Sequence, residues 1–392
     1  MSDTAYDLVI RDGTVVTPGG VARMTLGVSG GKIAGVGLRG RVKAKETIDA
    51  KGLHVLPGVM DTQVHFREPG NTHKEDLETG GRAAVLGGIT AVFEMPNTNP
   101  PTTTAESLND KLARARGRMY CDHAFYVGAT PDNAHELAAL EALPGTAGVK
   151  MFMGSSTGTL LVADDEHVRN VLKNGRRRMA VHAEDEFRLK ERRALAESGK
   201  PWTHPVWRDE ETALRATQRL VGLARETRRR VHVLHVTTAE EMAFLRDHKD
   251  LATIETTPNH LTLEAPECYE RLGAFAQMNP PVRDKRHKEA IWRAINEGLV
   301  DVLGSDHAPH TREEKSKTYP DTPSGMPGVQ TILPLMLDHV NAGRLSLLRL
   351  VDLMCYGPQR IFGLVDKGRI ALGFDADFTL VDLKARRTIE NK

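Results

Sequence analysis

Eight short apolar segments recur along the middle of the chain, and longer amphipathic segments such as EETALRATQRLVGLARET lie between several of them. The short segments have the length of buried strands, and the amphipathic ones have the apolar spacing of helices. Strands that alternate with helices over about 300 residues indicate a parallel α/β fold. Eight units favour a (β/α)8 TIM barrel over an open doubly wound sheet. The strand candidates are HVLPGVMDTQVHF, ITAVFEMPN, CDHAFYVGA, GVKMFM, RMAVHAED, RVHVLHVTT, LATIETTPNH and DVLGSDHAPH.

Both ends of the chain contain short β-branched runs that turn dipeptides and glycine pairs interrupt, such as AYDLVIRDGTVVTPGG near the start and KGRIALGFDADFTLVDL near the end. Such runs predict short strands. We therefore predict one small β-sandwich module formed by residues 1–56 and 363–392, with the barrel formed by residues 57–362.

The amino-acid composition of the chain limits which binding partners and which compartment are expected. A formal net charge of +1 gives no electrostatic reason to expect nucleic acid or an anionic membrane. The 3 cysteines are far apart in sequence, which favours a reducing compartment. The N-terminal sequence lacks the features of a secretory signal, and no apolar run is long enough to span a bilayer. We expect a cytoplasmic protein that acts on a small molecule and forms a homo-oligomer.

Polar residues lie at the C-terminal ends of the predicted strands, which is where TIM barrels form active sites. A single histidine in such a place is more often an ordinary hydrogen-bonded residue than a metal ligand. Three histidines and an aspartate that converge on one face favour a transition-metal site, with zinc as the expected ion. The strand-end residues are His65, Asn97, Lys150, His182, His235, Asn259, His260 and Asp306.

Lys150, in GVKMFM, is compatible with two interpretations. The barrel could bury its aliphatic stem and pair its charge. Alternatively, a neutral lysine amine can react with carbon dioxide to give a carbamate, an anion that can bridge two metals. Composition and spacing do not decide between them.

Several segments together resemble the dihydroorotases of the amidohydrolase superfamily. The resemblance extends from about residue 5 to residue 385, and the segments occur in the family's order and spacing. They are PGVMDTQVHFREPG, HKEDLETGGRAAVLGGITAVFEMPNTNP, VHAED, HVTT, TPNHLTL, MNPPVR, SDHAPHTREEK and PSGMPGVQT. Such enzymes interconvert dihydroorotate and N-carbamoyl-aspartate in pyrimidine biosynthesis.

The resemblance implies roles for the strand-end residues. His65 would bind a first zinc ion, and His182 and His235 would bind a second. Lys150, as its N6-carboxylated form, would bridge the two ions. Asp306 would bind the first ion and act as the general base and then the general acid.

The resemblance also implies a set of residues for the substrate carboxylate: Arg67, Asn97 and His310. The planar fork of a guanidinium suits a carboxylate. The alternative for Arg67 is a salt bridge with Glu68 or Glu75 at the rim. Asn279, in MNPPVR, matches a family position that contacts the substrate ring. The segment GSSTGTLLV after Lys150 resembles a loop that covers the substrate, although an ordinary βα loop would read the same.

Two departures from the family pattern matter. The family has His-x-His on the first strand, whereas this chain has Gln63-Val64-His65. An amide is a poorer zinc ligand than an imidazole, so the first metal position is expected to be weakened and the site to hold one or two ions. The chain also ends soon after ADFTLVDL, where family members usually continue, so we expect a truncated terminal module.

Three functions remain open. The first is an active dihydroorotase. The second is another cyclic amidase, of the hydantoinase or allantoinase type, whose neutral ring would give Arg67 no carboxylate to bind. The third is a catalytically weak, dihydroorotase-like subunit that associates with a partner such as aspartate transcarbamoylase, and Gln63 is the reason to consider it.

Overall fold

The structure, a computed structural model, describes residues 6–40, 42–156 and 158–390. Residues 1–5, 41 and 391–392 of the predicted terminal module therefore lie outside the described residues, as does Thr157 of the predicted covering loop. Within the described ranges, no helix combines the length and the apolar character needed to cross a membrane.

Fourteen strands form two sheets in the described part of the chain. Strands β6 to β13 form one eight-stranded sheet in sequence order, and the other six strands form the second sheet. The strands are β1 (Tyr6–Thr17), β2 (Gly20–Ser29), β3 (Lys32–Val36), β4 (Ala44–Asp49), β5 (His54–Pro57), β6 (Val59–Val64), β7 (Ile89–Glu94), β8 (Asp122–Gly128), β9 (Thr146–Phe152), β10 (Met179–His182), β11 (Val231–Val233), β12 (Ala252–Thr256), β13 (Val302–Leu303) and β14 (Phe378–Val381).

The eight-stranded sheet is a nearly closed parallel barrel. Neighbouring strands from β7 to β13 pair in parallel, and a parallel bridge between Val64 and His307 joins the first strand to the segment after the eighth. Seven of the eight predicted segments contain one of these strands, and the remaining one, GVKMFM, overlaps β9, which begins two residues earlier. The predicted TIM barrel is therefore confirmed. Each parallel strand needs a crossover connection to the next strand, and a closed barrel accommodates these connections.

Helices follow most barrel strands, and side chains cap many of them. Asp76, Thr104 and Asp209 each accept a hydrogen bond from a backbone N–H of the first helical turn, which is otherwise unpaired. The helices are α1 (Leu77–Leu86), α2 (Ala105–Ala115), α3 (Leu137–Leu140), α4 (Asp165–Lys173), α5 (Glu186–Glu191), α6 (His204–Trp207), α7 (Glu210–Thr227), α8 (Ala239–Arg246), α9 (Pro258–Thr262), α10 (Glu267–Leu272), α11 (Lys285–Asn296), α12 (Arg312–Lys315), α13 (Ile332–Asn341), α14 (Leu347–Val351) and α15 (Gly357–Phe362).

The chain divides into two compact units. One comprises Met1–Met60, Gly88–Thr90 and Leu333–Lys392, and the other comprises Asp61–Gly87 and Ala91–Ile332. The predicted barrel range, 57–362, ends later than the second unit does, since the helices after Ile332 group with the terminal residues. The domain ranges stay a prediction.

Strands from both ends of the chain form the six-stranded sheet. The central strand β1 pairs antiparallel with β2 and parallel with β4 and β5, and the C-terminal strand β14 pairs antiparallel with β5. Val15, Leu26, Ile33, Val55 and Ile370 are buried together in its core. The predicted small β-module built from both termini is thereby confirmed.

A buried ion pair holds α2 against the barrel strand β7. Lys111 of the helix donates to the carboxylate of Glu94 and to the backbone oxygen of Met95, and both charged side chains are almost fully inaccessible to solvent. Since each charge has lost its hydration, each depends on the other for compensation.

We expect Lys111→Met to lower the free energy of unfolding by about 3 kcal/mol, because it leaves the Glu94 carboxylate buried and unpaired. Urea unfolding followed by circular dichroism measures this loss. The double variant Glu94→Leu/Lys111→Met should recover most of it. Arg225→Met, which breaks an ion pair whose side chains are 55% and 58% exposed, is the control and should cost less than about 1 kcal/mol. Equal losses in the two single variants would contradict the argument.

Candidate functional site

A pocket is lined by residues at the C-terminal ends of the barrel strands and in the loops that follow them. Of the predicted metal and substrate residues, all but His310 line the pocket, whereas the strand-end residues Asn259 and His260 do not. The lining residues are Gln63, His65, Arg67, Asn97, Lys150, Phe152, Ser156, His182, His235, Asn279, Asp306, Ala308, Ser324 and Gly325.

Three pocket residues have a left-handed backbone, which is unfavourable for side chains other than glycine. Their φ angles are +65° for Arg67, +37° for His235 and +50° for Asp306. Each lies a few residues after a strand, where the chain turns outward. Backbone strain that persists in a folded protein is concentrated at functional sites, so this clustering supports the pocket as the site.

His182 and His235 face each other in the pocket. His182 Nε2 donates to Glu184 Oε2 at 2.9 Å, so the lone pair of His182 is on Nδ1. That Nδ1 lies 3.0 Å from His235 Nε2, and the other ring nitrogen of His235 is buried without a partner among the described residues. Burial lowers the pKa of both imidazoles and keeps them neutral. Neutral imidazoles that converge in this way are suited to one cation.

A second pair of facing atoms involves His65 and Asp306. His65 Nδ1 donates to Asn97 Oδ1 at 2.7 Å, which leaves the lone pair on Nε2 directed at Asp306 Oδ1, 3.2 Å away. Burial lowers the pKa of His65, so no proton is available to join these two acceptors. Gln63 Nε2 donates to the same Asp306 oxygen at 2.9 Å, and Gln63 Oε1 is buried without a partner in the described chain.

The surroundings of Lys150 bear on the two interpretations that the sequence left open for this residue. Its side chain is buried, and its Nζ lies 4.5 Å from the centre of the Phe152 ring without a carboxylate at ion-pair distance among the described residues. Burial lowers the pKa of Lys150 to about 7, although Asp306 and Glu255 oppose the shift. A sizeable fraction of the amine is therefore neutral near neutral pH, and only a neutral amine can react with carbon dioxide.

The donor set fits a metal only in part as it stands. Among the described residues, no group of three or more His, Cys, Asp and Glu side chains is arranged to hold a metal ion. The pocket instead contains the two facing pairs, His182 with His235 and His65 with Asp306. A carbamate on Lys150 would add an oxygen ligand to each pair. With that group the residues fit a transition metal, whose usual ligands are imidazole and carboxylate.

Arg67 carries a buried positive charge into the pocket. The residue is 4% exposed, its Nε donates to Pro309 O at 3.0 Å, and no carboxylate of the described chain lies at ion-pair distance from it. Burial lowers the pKa of Arg67 to about 10, which leaves it charged at neutral pH. The alternative of a rim salt bridge is wrong, because Glu68 pairs with Arg118 and Glu75 pairs with His307.

The remaining two predicted substrate residues differ in position. Asn279 lines the pocket, and its Oδ1 accepts a hydrogen bond from His204 Nε2 at 3.0 Å, which fixes its orientation. His310 lies next to Arg67, with its Nε2 3.2 Å from Arg67 Nη2 and 3.0 Å from Ser324 O. His310 is therefore brought to the same cluster, beside the pocket wall rather than on it.

Sequence reasoning missed two groups of the site. Glu184, which orients His182, accepts a hydrogen bond from Arg208 as well, and this pair with Arg208 is what holds its pKa below the usual range despite burial. Glu184 lies two residues after His182, and residues at this spacing point to the same side of an extended segment. The spacing could therefore have indicated Glu184 as a partner of His182. The second is Lys74, whose Nζ lies 3.1 Å from His310 Nδ1, and no local signal in the sequence indicates that contact.

Comparison with known proteins defines the class. A model of the amidohydrolase family matches residues 54–392, which is most of the chain. The chain belongs to the amidohydrolase family. This family match, together with the relatives of the chain described next, confirms two predictions: that the protein is a cyclic amidohydrolase and that it resembles dihydroorotases.

Two curated relatives and one solved structure illustrate which proteins this chain is similar to. A dihydroorotase of Methanosarcina acetivorans is 38% identical, and the match covers 91% of this chain and 79% of that protein. An allantoinase of Deinococcus radiodurans is 36% identical, with 98% and 89% covered. Among solved structures, the L-hydantoinase of Arthrobacter aurescens has a TM-score of 0.89 at 31% identity, and the match covers 95% of this chain and 86% of that one.

We expect Arg67→Met to raise the free energy of unfolding by about 1 kcal/mol, because it removes a buried charge that no carboxylate compensates. Urea unfolding of the ligand-free protein measures the change. Arg118→Met is the matched control and should lower stability, since it removes the partner of Glu68, whose side chain is 6% exposed. A loss of stability in Arg67→Met as large as that of the control would show that the Arg67 charge is already compensated.

Proposed function

We propose that this enzyme is a dihydroorotase, which hydrolyses the ring amide of dihydroorotate reversibly to N-carbamoyl-aspartate. The observation that carries the proposal is the buried Arg67 guanidinium, which faces the pocket without an anionic partner among the described residues. A buried, uncompensated charge costs several kcal/mol, and a substrate carboxylate offsets that cost when it binds. Dihydroorotate has such a carboxylate beside its ring.

In the proposed site, His182 and His235 would hold zinc on one side and His65 and Asp306 on the other, and Lys150, if carbamylated, would add a ligand to both sets. Such an ion polarises a carbonyl and lowers the pKa of water. Glu184 orients His182, and Asn97 orients His65, through the hydrogen bonds described above.

Asp306 moves the proton in the proposed reaction. Its carboxylate accepts a proton from the water that attacks the ring carbonyl carbon, and the carbon–nitrogen bond of the ring then breaks. The same proton passes from Asp306 to the departing ring nitrogen, so atoms and charges balance. Arg67 and Asn97 bind the substrate carboxylate and Asn279 contacts the ring, which holds the scissile amide in one orientation.

A second function has support from the comparisons. The match to the Deinococcus allantoinase covers more of this chain than the match to the Methanosarcina dihydroorotase does, and solved structures that resemble this chain include hydantoinases. Against this function, hydantoin and allantoin have no carboxylate, so each would leave Arg67 buried and unpaired in the complex.

A substrate panel tests the proposal. Purified protein supplied with zinc and bicarbonate should hydrolyse dihydroorotate, and cyclise N-carbamoyl-aspartate, with a kcat/KM at least about 100-fold above that for hydantoin or allantoin, the factor expected from one buried charge-assisted contact. Asp306→Asn is the catalytic control and should abolish turnover while the circular dichroism spectrum stays unchanged. Faster turnover of hydantoin or allantoin would establish the second function instead.

Gln63 is proposed to limit the metal content. Its amide Nε2 donates to Asp306 Oδ1, whereas an imidazole at this position could bring a second lone pair to the first metal. We expect about one tightly held zinc per chain in the unaltered protein and an increase toward two in Gln63→His, because two imidazoles and a carboxylate make a complete set of ligands. Metal analysis after dialysis measures the ratio.

Gln63→Ala is the control for that measurement, since it removes the amide without adding a ligand, and its zinc content should stay at about one per chain. Two zinc ions per chain in the unaltered protein would refute the weakened-site argument. The homo-oligomer, the cytoplasmic location and an association with aspartate transcarbamoylase remain proposals.

A further inference from the structure

The imidazole of His310 lies between three polar groups, and its side chain is 0% exposed. Lys74 Nζ is 3.1 Å from the ring Nδ1. Ser324 O is 3.0 Å from the ring Nε2, and Arg67 Nη2 is 3.2 Å from the same Nε2. Lys74 itself is largely buried, with 13% of its side chain exposed, and it also forms an ion pair of 3.1 Å with Glu314.

The neutral ring protonated on Nε2 satisfies two of these three neighbours, Lys74 and Ser324, whereas the opposite tautomer satisfies Arg67 alone. An ammonium and a guanidinium can only donate hydrogen bonds, and a backbone oxygen can only accept them. The ring Nδ1 must therefore accept from Lys74, and the ring Nε2 must carry the proton that it donates to Ser324 O. Burial, with the charges of Arg67 and Lys74, lowers the pKa of His310 to about 3, so the ring is neutral as this pattern requires.

This state of His310 determines what Arg67 can bind. A protonated Nε2 cannot accept from Arg67 Nη2, so the guanidinium keeps that N–H for a ligand although the two nitrogens are close. The opposite tautomer would present a lone pair at Nε2. Arg67 Nη2 would then donate to His310, and one donor of the carboxylate fork would be lost.

We propose that Lys74 is a positioning residue for substrate binding: its hydrogen bond to His310 Nδ1 keeps the imidazole protonated on Nε2 and thereby keeps an Arg67 N–H free for a carboxylate. The proposal deepens the proposed function and rests on it, since dihydroorotate supplies the carboxylate. Lys74 need not touch the substrate for this role.

Glu314 explains why the lysine is needed. Its Oε2 lies 3.6 Å from His310 Nδ1, and its Oε1 accepts from Lys74. Without the ammonium, this carboxylate remains within ion-pair distance of Nδ1 and favours a proton on that nitrogen. The removal of Lys74 therefore both withdraws the donor and promotes the tautomer that captures Arg67.

The first experiment records the tautomer directly. Protein labelled with 15N-histidine is examined by long-range 1H–15N correlation, and the signals of His310 are identified by their loss in His310→Asn. We expect the Nε2–H tautomer in the unaltered protein and in Lys74→Arg, which keeps a donor, and the Nδ1–H tautomer in Lys74→Met. The readout requires no substrate, so it stands if the proposed function fails.

The second experiment measures dihydroorotate kinetics on the same variants. Lys74→Met should raise KM about ten-fold, the effect of one weakened charge-assisted hydrogen bond, and change kcat by less than about two-fold. Lys74→Arg should restore most of the KM. Lys285→Met, which removes a lysine whose side chain is 70% exposed and paired with a glutamate, is the matched control and should leave both constants unchanged.

Two results would overturn the inference. One is an Nδ1–H tautomer or an imidazolium at His310 in the unaltered protein, which can be seen even if Lys74→Met is too unstable to study. The other is an unchanged tautomer together with an unchanged KM in folded Lys74→Met. An absence of dihydroorotate turnover in the unaltered protein refutes the proposed function alone, and the tautomer result then decides the role of Lys74 at His310.

Discussion

Closure of the barrel between its first and eighth strands is the contact on which the site depends. The backbone N–H of His65 donates to His307 O at 2.7 Å, and the adjacent Val64 bridges His307 in parallel. Because parallel strands present their carboxyl ends at one edge, this contact places Gln63 and His65 against Asp306, about 240 residues away in sequence. The facing His182 and His235 follow neighbouring strands by the same geometry.

The mouth of the barrel contains a buried positive charge without an ion pair in the absence of a ligand. Arg67 carries this charge, since no carboxylate of the described chain lies at ion-pair distance from it, and Asp306 is the carboxylate that lines the same pocket. Buried charge of one sign is unfavourable for stability and favourable for capture of a dianionic or carboxylate ligand. Glu314 and Glu184 compensate the cations around the rim, Lys74 and Arg208, so the uncompensated charge is confined to the pocket.

The sequence was sufficient for the barrel and for most of the pocket. Eight apolar segments with polar ends determine which side chains converge, and that inference needs only strand direction. The sequence was insufficient where a contact joins residues that are distant in sequence. Lys74 and His310 are 236 positions apart, and their contact depends on how two separate loops lie against each other. The rim salt bridge considered for Arg67 was wrong for the same reason, since Arg118 on another segment takes Glu68.

The left-handed residues have a consequence for anyone who wishes to use this enzyme as a robust biocatalyst. Five non-glycine residues of the described chain have φ angles between +37° and +65°, and three of them are in the pocket. The other two, Asp12 and Arg228, lie outside it, and glycine there would relieve about 1 kcal/mol each without touching the chemistry. The same exchange at Asp306 would remove the proposed acid–base group. Heat tolerance is thus open to engineering at the periphery, whereas the mouth must keep its strained backbone.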